Sequence, residues 1–380
     1  MTKVTCAICG AKEHVLFGHL KSEHEMTIED YKEKFADAPV LSEFAEARLA
    51  ELEKQSRNEL VDFDIKKTFG LTLNTNIKTV QGYKHRHQLS PNLDPDYKFR
   101  KELLAVMVYA VQKNMACEKE YVLFSGPTGS GKSTVVMQFF AALNFPLYRV
   151  NMDGDITRSD FVGQWTLKGE QTEFQYGVLP KAMKEGVPLL IDEWDMGNPA
   201  VMEVLKAVLE GNSMFITETG ETVVPQKGFM IFGTANTLGM GDETGLYNGV
   251  QPQNYAQLDR YDICEIVDYP SKADEKTILM KKCGFTDKKM MERFGVAEVD
   301  SKENTEQILD KVLEVAKLVR EAFKKEEIMA TMSTRTLINI CNKMLAFGDV
   351  KRAYQLAYMN KLNGEDRQFV AEILQRVWAI

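Results

Sequence analysis

Tyr121-Val122-Leu123-Phe124-Ser125-Gly126-Pro127-Thr128-Gly129-Ser130-Gly131-Lys132-Ser133-Thr134 opens as an apolar run and passes into a glycine-rich loop with the spacing G-x-x-x-x-G-K-S. Val135-Val136-Met137-Gln138-Phe139-Phe140 then continues it in a helix-like pattern. Strand, loop and helix thus stand in the order that gives such a motif its meaning. A loop of this kind turns backbone N–H groups inward to cradle phosphates, and the helix start adds partial positive charge. Lys132 is placed to reach the β- and γ-phosphates, and Ser133 offers a hydroxyl to Mg2+. Residues Gly126, Pro127, Thr128, Gly129, Ser130, Gly131, Lys132, Ser133 and Thr134 are therefore expected to hold a nucleoside triphosphate.

On either side of this motif strands and helices alternate. Leu103, Val106, Met107, Ala110 and Val111 follow the spacing of a helix with one packed face. Strands are expected at Leu147–Asn151, Pro188–Ile191, Phe229–Gly233 and Ile263–Asp268, with a helix over Pro199–Leu209. The alternation implies a five-stranded parallel sheet with helices on both faces. After Tyr269-Pro270 the pattern is helical only, with amphipathic stretches around Ile308–Phe323, Thr334–Leu345 and Phe369–Val377. Thr68–Asp96 reads as an extended lead-in. The expected division is a small module over 1–35, a connecting helix over 36–60, an α/β domain over 61–270 and a helical lid over 271–380.

The strand ending Leu189-Leu190-Ile191-Asp192-Glu193 brings two carboxylates to the carboxyl edge of the sheet, where Mg-assisted phosphoryl transfer needs them. Asp192 would hold Mg2+ through its water shell, opposite Ser133, and Glu193 would polarise the attacking water. The next strand ends Gly233-Thr234-Ala235-Asn236, and the neutral amide of Asn236 can hold that water and sense the γ-phosphate. Two arginines complete the candidate set: Arg260 in Gln257-Leu258-Asp259-Arg260, and Arg335 in Ser333-Thr334-Arg335. An arginine at the γ-phosphate is worth about 10³–10⁵ in rate.

Composition narrows the class. Hydrophobic residues make up 44% and charged residues 27% of the 380-residue chain, close to globular averages. No apolar run approaches the roughly 20 residues that cross a bilayer, and Met1–Cys6 carries no apolar signal core. A soluble cytoplasmic protein with no membrane partner is expected. Two of the six cysteines are close together and four are scattered, unlike a disulfide framework. The net charge of −8 argues against binding nucleic acid through bulk electrostatics.

The sequence of phosphate loop, acidic strand, Thr-Ala-Asn, Leu-Asp-Arg and Ser-Thr-Arg, followed by an all-helical tail, resembles the AAA+ ATPases and, within them, the MoxR branch. Thr157–Gly163 resembles that branch's lead into an inserted hairpin, expected at Gln164–Val178, and Phe215–Gln226 would be a second. Asp94–Tyr97, Ile191–Asp195 and Gly233–Tyr247 narrow the resemblance to the CobS-type small ATPase subunit of aerobic cobaltochelatase. The resemblance implies ATP hydrolysis in a ring, most simply a hexamer. Lys132, Ser133, Asp192, Glu193 and Asn236 would act within one subunit, Arg260 would be offered to the neighbour's ATP, and Arg335 would be the lid sensor. It also implies a partner with a von Willebrand A domain and, in a chelatase, a large metal-inserting subunit. The hairpins would face the pore or the partner and turn hydrolysis into mechanical strain.

The N-terminal module has its own chemistry. Cys6-x₂-Cys9-x₉-His19-x₄-His24 carries the ligand types and spacings of a tetrahedral structural zinc site. About 35 residues are too few to fold on burial alone, so metal binding would supply much of the stability. Leu16, Phe17 and Leu20 are the expected core. The pattern resembles the Ros/MucR zinc finger, a DNA-binding module. Residues 1–35, however, hold five lysines against six acids and no arginine, which favours protein docking over DNA docking. The leading expectation is a ring-forming motor that remodels a protein partner. The alternatives are a nucleic-acid-directed ATPase recruited through the finger, and a scaffold in which ATP only stabilises assembly. Glu193 and Arg260 speak against the scaffold.

Overall fold

The structure, a computed structural model of the chain, describes residues 3–35, 38–48, 59–169, 171–237, 255–283 and 302–379. The chain divides into two compact units, residues 1–61 with 82–87, and residues 62–81 with 88–380.

The larger unit is built on five parallel strands: β1 (Val122–Ser125), β2 (Tyr148–Asn151), β3 (Leu189–Asp192), β4 (Ile231–Ala235) and β5 (Ile263–Ile266). Across the sheet they run β5-β1-β4-β3-β2. β1, β4 and β3 are the inner strands and every residue in them is buried, as expected of a parallel sheet covered on both faces. The edge strands β2 and β5 alternate half-buried and exposed residues. Register sets Ser125 level with Ala235 and Ile266, and Asn151 level with Asp192. All five carboxyl ends therefore finish along one edge, where ligands bind in open α/β sheets.

Helices Lys101–Met115, Lys132–Ala142 and Val178–Glu185 accompany the sheet. Phe140 of the phosphate-loop helix packs edge-on against Phe232 of β4, with ring centroids 5.4 Å apart. Both rings are fully buried, and burying a Phe side chain stabilises by roughly 1.5–3 kcal/mol. Two hairpins interrupt the α/β succession. Gly163–Lys168 pairs with Gln171–Tyr176, and Met214–Ile216 with Glu221–Val223, close to the two expected insertions. Trp165, Leu167 and Phe215 stand exposed on them.

The tail contains helices Lys272–Lys282, Lys302–Lys324, Thr334–Phe347, Val350–Ala357 and Gly364–Trp378 around a core of its own, which includes Val315, Val319, Ile340, Tyr354 and Val370. The expected amphipathic stretches lie inside the three longest. Val350–Ala357 lies outside those stretches. It is separated from the preceding helix by Gly348, whose φ of 64° ends that helix, and by Asp349, whose carboxylate accepts from the Arg352 amide at 3.0 Å.

Other departures are local. The expected extended lead-in contains a strand, Thr79–Tyr83, and the end of a short helix, Ile65–Phe69. The helix over Pro199–Leu209 is broken by a 3₁₀ turn at Glu203–Leu205. Of the connecting segment, residues 43–48 are helical, while 36–37 and 49–58 lie outside the described residues, as does Leu238–Tyr247 of the longest family-like phrase.

The smaller unit begins with a two-stranded hairpin, Val4–Thr5 with Lys12–Glu13, followed by helices Phe17–His24 and Ile28–Lys34. A capping box starts the second helix: the Asp30 amide donates to Thr27 Oγ1 at 3.2 Å and the Thr27 amide to Asp30 Oδ2 at 3.3 Å. Leu16, Leu20, Tyr31 and Val40 form the core with Val4 and Cys6. Phe17, expected among them, is exposed. Leu16 and Leu20 are four residues apart and set the inward stripe, which turns the adjacent Phe17 about 100° away from it.

Candidate active site

Three glycines shape the phosphate loop, and no other residue fits two of them. At Gly126 φ is 149° and a Cβ would lie 2.2 Å from the Val267 carbonyl oxygen. At Gly129 φ is 73° and a Cβ would lie 2.4 Å from Cβ of Ser333, the N-cap of the Thr334–Phe347 helix. The loop is thus held between the segment after β5 and the start of a lid helix. Arg100 braces it further, donating to the carbonyls of Ser130 at 3.1 Å and Asp268 at 2.7 Å.

Lys132 opens the following helix and is almost fully buried. Its ammonium donates to the carbonyls of Gly126 at 2.6 Å and Pro127 at 3.0 Å, and to Asn236 Oδ1 at 3.1 Å. Burial pushes it down to about 8, against the upward pull of Asp195, Asp192 and Glu193. Thr128 also donates to Asn236 Oδ1, at 3.3 Å, so this amide reaches both the loop and its lysine.

Asp192 ends β3 with both oxygens engaged. Ser133 and Thr234 donate their hydroxyls to Oδ1, while Arg149 Nε donates to Oδ2 at 3.1 Å and Arg149 Nη2 binds the same oxygen. Burial would raise this carboxyl, but the hydrogen bonds from Ser133, Thr234 and Arg149 outweigh it and hold it below the ordinary aspartate range. Glu193 differs. Burial first, then the charges of Asp192 and Asp195, push it above the ordinary glutamate range. Its backbone is left-handed at φ 57° and ψ 46°, a conformation that costs of order 1–3 kcal/mol and clusters at working sites. Thr234 joins the two acids, since its hydroxyl accepts from the Glu193 amide at 3.0 Å.

Asn236 is aimed by a fully buried carboxylate. Asp195 Oδ2 accepts the amides of Asn236 at 2.9 Å and Thr237 at 2.8 Å, and the Thr237 hydroxyl at 3.0 Å. A cleft of about 530 Å³ gathers Lys132, Ser133, Asp192, Glu193, Asn236 and Arg335, together with Arg100 and Arg149. That volume is within the range of small-molecule sites. Arg260 is not among the lining residues. It follows the short helix Tyr255–Leu258 and pairs with Glu210 at 2.7 Å.

The lid is joined to this cleft by named contacts. Tyr269 donates to the Thr128 carbonyl at 3.0 Å, Lys98 pairs with Asp274 at 2.6 Å, and Lys282 pairs with Asp94. Behind them Arg320 donates through two nitrogens to Glu275, each at 2.8 Å, and Thr334 donates to the same carboxylate at 2.6 Å. Arg335 is the next residue along that helix.

The donor set beside the loop fits a hard divalent cation: the Ser133 hydroxyl and the Asp192 carboxylate converge and both are oxygen ligands. The N-terminal cluster fits zinc. The ligand atoms of Cys6, Cys9, His19 and His24 all lie within 4.8 Å of one another, with Cys6 Sγ 3.7 Å from His24 Nε2 and Cys9 Sγ 3.1 Å from His19 Nε2. Burial pushes the Cys6 thiol up, but the Cys9 and Ile8 amides, His19 and Cys9 outweigh it and bring it down to about 6, favouring the thiolate that binds metal.

Reading the sequence alone missed Arg149, Arg100 and the bracing roles of Thr234 and Asp195. Arg149 sits in Tyr148-Arg149-Val150-Asn151, an ordinary edge-strand pattern, and Asp195 could be recognised only as part of a family phrase.

Comparison with known proteins agrees with this geometry. The model of the AAA domain (dynein-related subfamily) matches residues 121–248. That of the ROS/MUCR transcriptional regulator protein matches 1–56, and that of the CbbQ/NirQ/NorQ C-terminal region matches 298–380. The chain is 35% identical over 322 residues to the aerobic cobaltochelatase subunit CobS of a Sinorhizobium species, covering 83% of this chain and 90% of that one. It is 26% identical over 258 residues to the denitrification regulatory protein NirQ of Stutzerimonas stutzeri, covering 68% and 83%. Among the described residues no helix is long and apolar enough to cross a membrane.

Proposed function

This chain belongs to the CobS family of AAA ATPases, and on that premise we propose that it is a ring-forming, magnesium-dependent ATP hydrolase that does mechanical work on a protein partner. One observation carries the reading. A single cleft collects the loop lysine, the paired carboxylates, the sensor amide and the lid arginine, while Arg260 is spent on Glu210 outside it. A site complete except for one arginine is the arrangement expected when the neighbouring copy supplies that arginine.

In this reading the loop amides and Lys132 bind the β- and γ-phosphates, and Arg335 closes on the γ-phosphate from the lid. Ser133 and Asp192 would hold the magnesium ion, which neutralises phosphate charge when bound. Glu193, whose raised proton affinity suits a base, takes the proton of the attacking water, and Asn236 orients that water. Arg260 of the adjacent subunit steadies the charge on the transferring phosphoryl group. A hexamer is the simplest closed ring for such a finger. The partner would be a protein with a von Willebrand A domain, together with a large chelatase-type subunit if the role is metal insertion, and the setting would be the cytoplasm. The N-terminal zinc module would dock the motor on its target. The resemblance to a transcriptional regulator supports a second reading, recruitment to nucleic acid, which the acidic balance of the module disfavours.

Glu193→Gln separates base catalysis from binding. It should bind ATP as the wild type does while hydrolysis falls about 10²–10⁴-fold. Normal turnover in that variant would remove Glu193 from the role of base.

A further inference from the structure

We propose that Arg149 is a positioning residue for the magnesium carboxylate, which it shares with the metal: it holds Asp192 by one oxygen and must release it as the metal–nucleotide complex seats. The inference rests on the magnesium reading above and goes beyond it.

The two oxygens of Asp192 are held in different ways. Oδ1 takes the hydroxyls of Ser133 and Thr234, and Thr234 is buried within β4. Oδ2 takes two nitrogens of Arg149. The Arg149 side chain is 46% exposed, against 6% for Asp192. Thr234 cannot withdraw without disturbing the sheet, whereas the guanidinium can swing back into water at little cost.

Arg149 lines the nucleotide cleft and extends from edge strand β2, one strand away from Asp192. Among the described residues its other terminal nitrogen meets only a weak acceptor, the Met137 sulfur at 3.8 Å. A guanidinium is therefore seated on the face of the carboxylate that looks into the cleft. Ser133 donates its proton to Asp192, which leaves its oxygen lone pairs free for a metal. Asp192 has no such freedom while Arg149 is on Oδ2. A divalent cation brought against that oxygen would meet the positive charge of the guanidinium within a few ångströms, and like charges at that range repel. Occupancy by one cation thus weakens the other, which is a coupling free energy between arginine and metal. The arrangement keeps Asp192 oriented for the metal and sets a threshold that a metal bound to nucleotide, with its phosphate charge, passes more readily than a free ion.

The test is calorimetric and needs no turnover. ADP affinity is measured with excess EDTA and with saturating Mg2+ for wild type, Arg149→Gln and Arg149→Lys in the full chain. The readout is the ratio of the two affinities. Arg149→Gln should raise that ratio about fivefold, the size of a partly exposed charge pair, and leave the affinity in EDTA within about twofold of wild type. Arg149→Lys, with a point charge in place of the fork, should fall between them, and it decides the matter if the glutamine variant does not fold. A wild-type ratio of one would sink the magnesium reading itself, whatever Arg149 does. A wild-type ratio above one that is unchanged or lower in the variants would overturn the assignment of Arg149. A loss of affinity in EDTA with the ratio intact would overturn it too, by making Arg149 a phosphate ligand.

Discussion

Replacing Arg320 by methionine should destabilise the lid, because it strands a buried carboxylate. Arg320 gives Glu275 two hydrogen bonds of 2.8 Å, gives the Met332 carbonyl a third at 2.8 Å, and lies 3.9 Å from the centroid of the Tyr269 ring. Glu275 is 2% exposed and, among the described residues, would keep only the Thr334 hydroxyl. Stranding one member of a buried pair costs about 3–5 kcal/mol. Urea unfolding of wild type, Arg320→Met and Arg320→Met/Glu275→Met at pH 7, followed by far-UV circular dichroism, measures this. The double variant should recover most of the loss. A penalty below about 1 kcal/mol at pH 7 would refute the reasoning.

Two other outcomes are expected. Burial brings Lys132 down to about 8, so ATP binding should take up about half a proton near pH 8 and weaken as pH rises further, because the phosphates require the charged ammonium. Titration calorimetry in buffers of different ionisation enthalpy reads that uptake, and a value of zero across pH 7–9 would contradict it. The chain should carry one zinc ion, lost in Cys6→Ser along with the helical signal of residues 17–34 while ATP affinity is unchanged; zinc retained at full stoichiometry would exclude the ligand set.

The phosphate loop, the acidic strand and the five strands in their succession along the chain were legible because each depends on local pattern: glycines at fixed offsets, and short apolar runs. The clustering of Cys6, Cys9, His19 and His24 was legible for the same reason, since four chelating side chains fall close together in the chain. Arg149 was not, because its meaning comes from strand β2 lying beside β3, and nothing in a four-residue edge strand states which strand will be its neighbour. Asp195 and Thr234 acquire their roles only when β3 and β4 pair and bring together residues 192–195 and 234–237. The strand Thr79–Tyr83 was missed because Val80-Gln81-Gly82-Tyr83 alternates too briefly to stand out from the polar residues around it. Phe17 was misplaced because a helix face is set by its whole stripe, and a single large apolar side chain does not report which way it points.

The claim that adjoining copies complete one another's sites can be tested by mixing two inactive variants, Arg260→Ala and Lys132→Ala, and measuring phosphate release. Each variant keeps what the other lacks. If the arginine acts across the interface, equal mixing should place a complete site at about a quarter of the interfaces and recover that share of wild-type activity, rising and falling symmetrically with the mixing ratio. Phosphate release that stays at the level of the separate variants at every ratio would contradict the account.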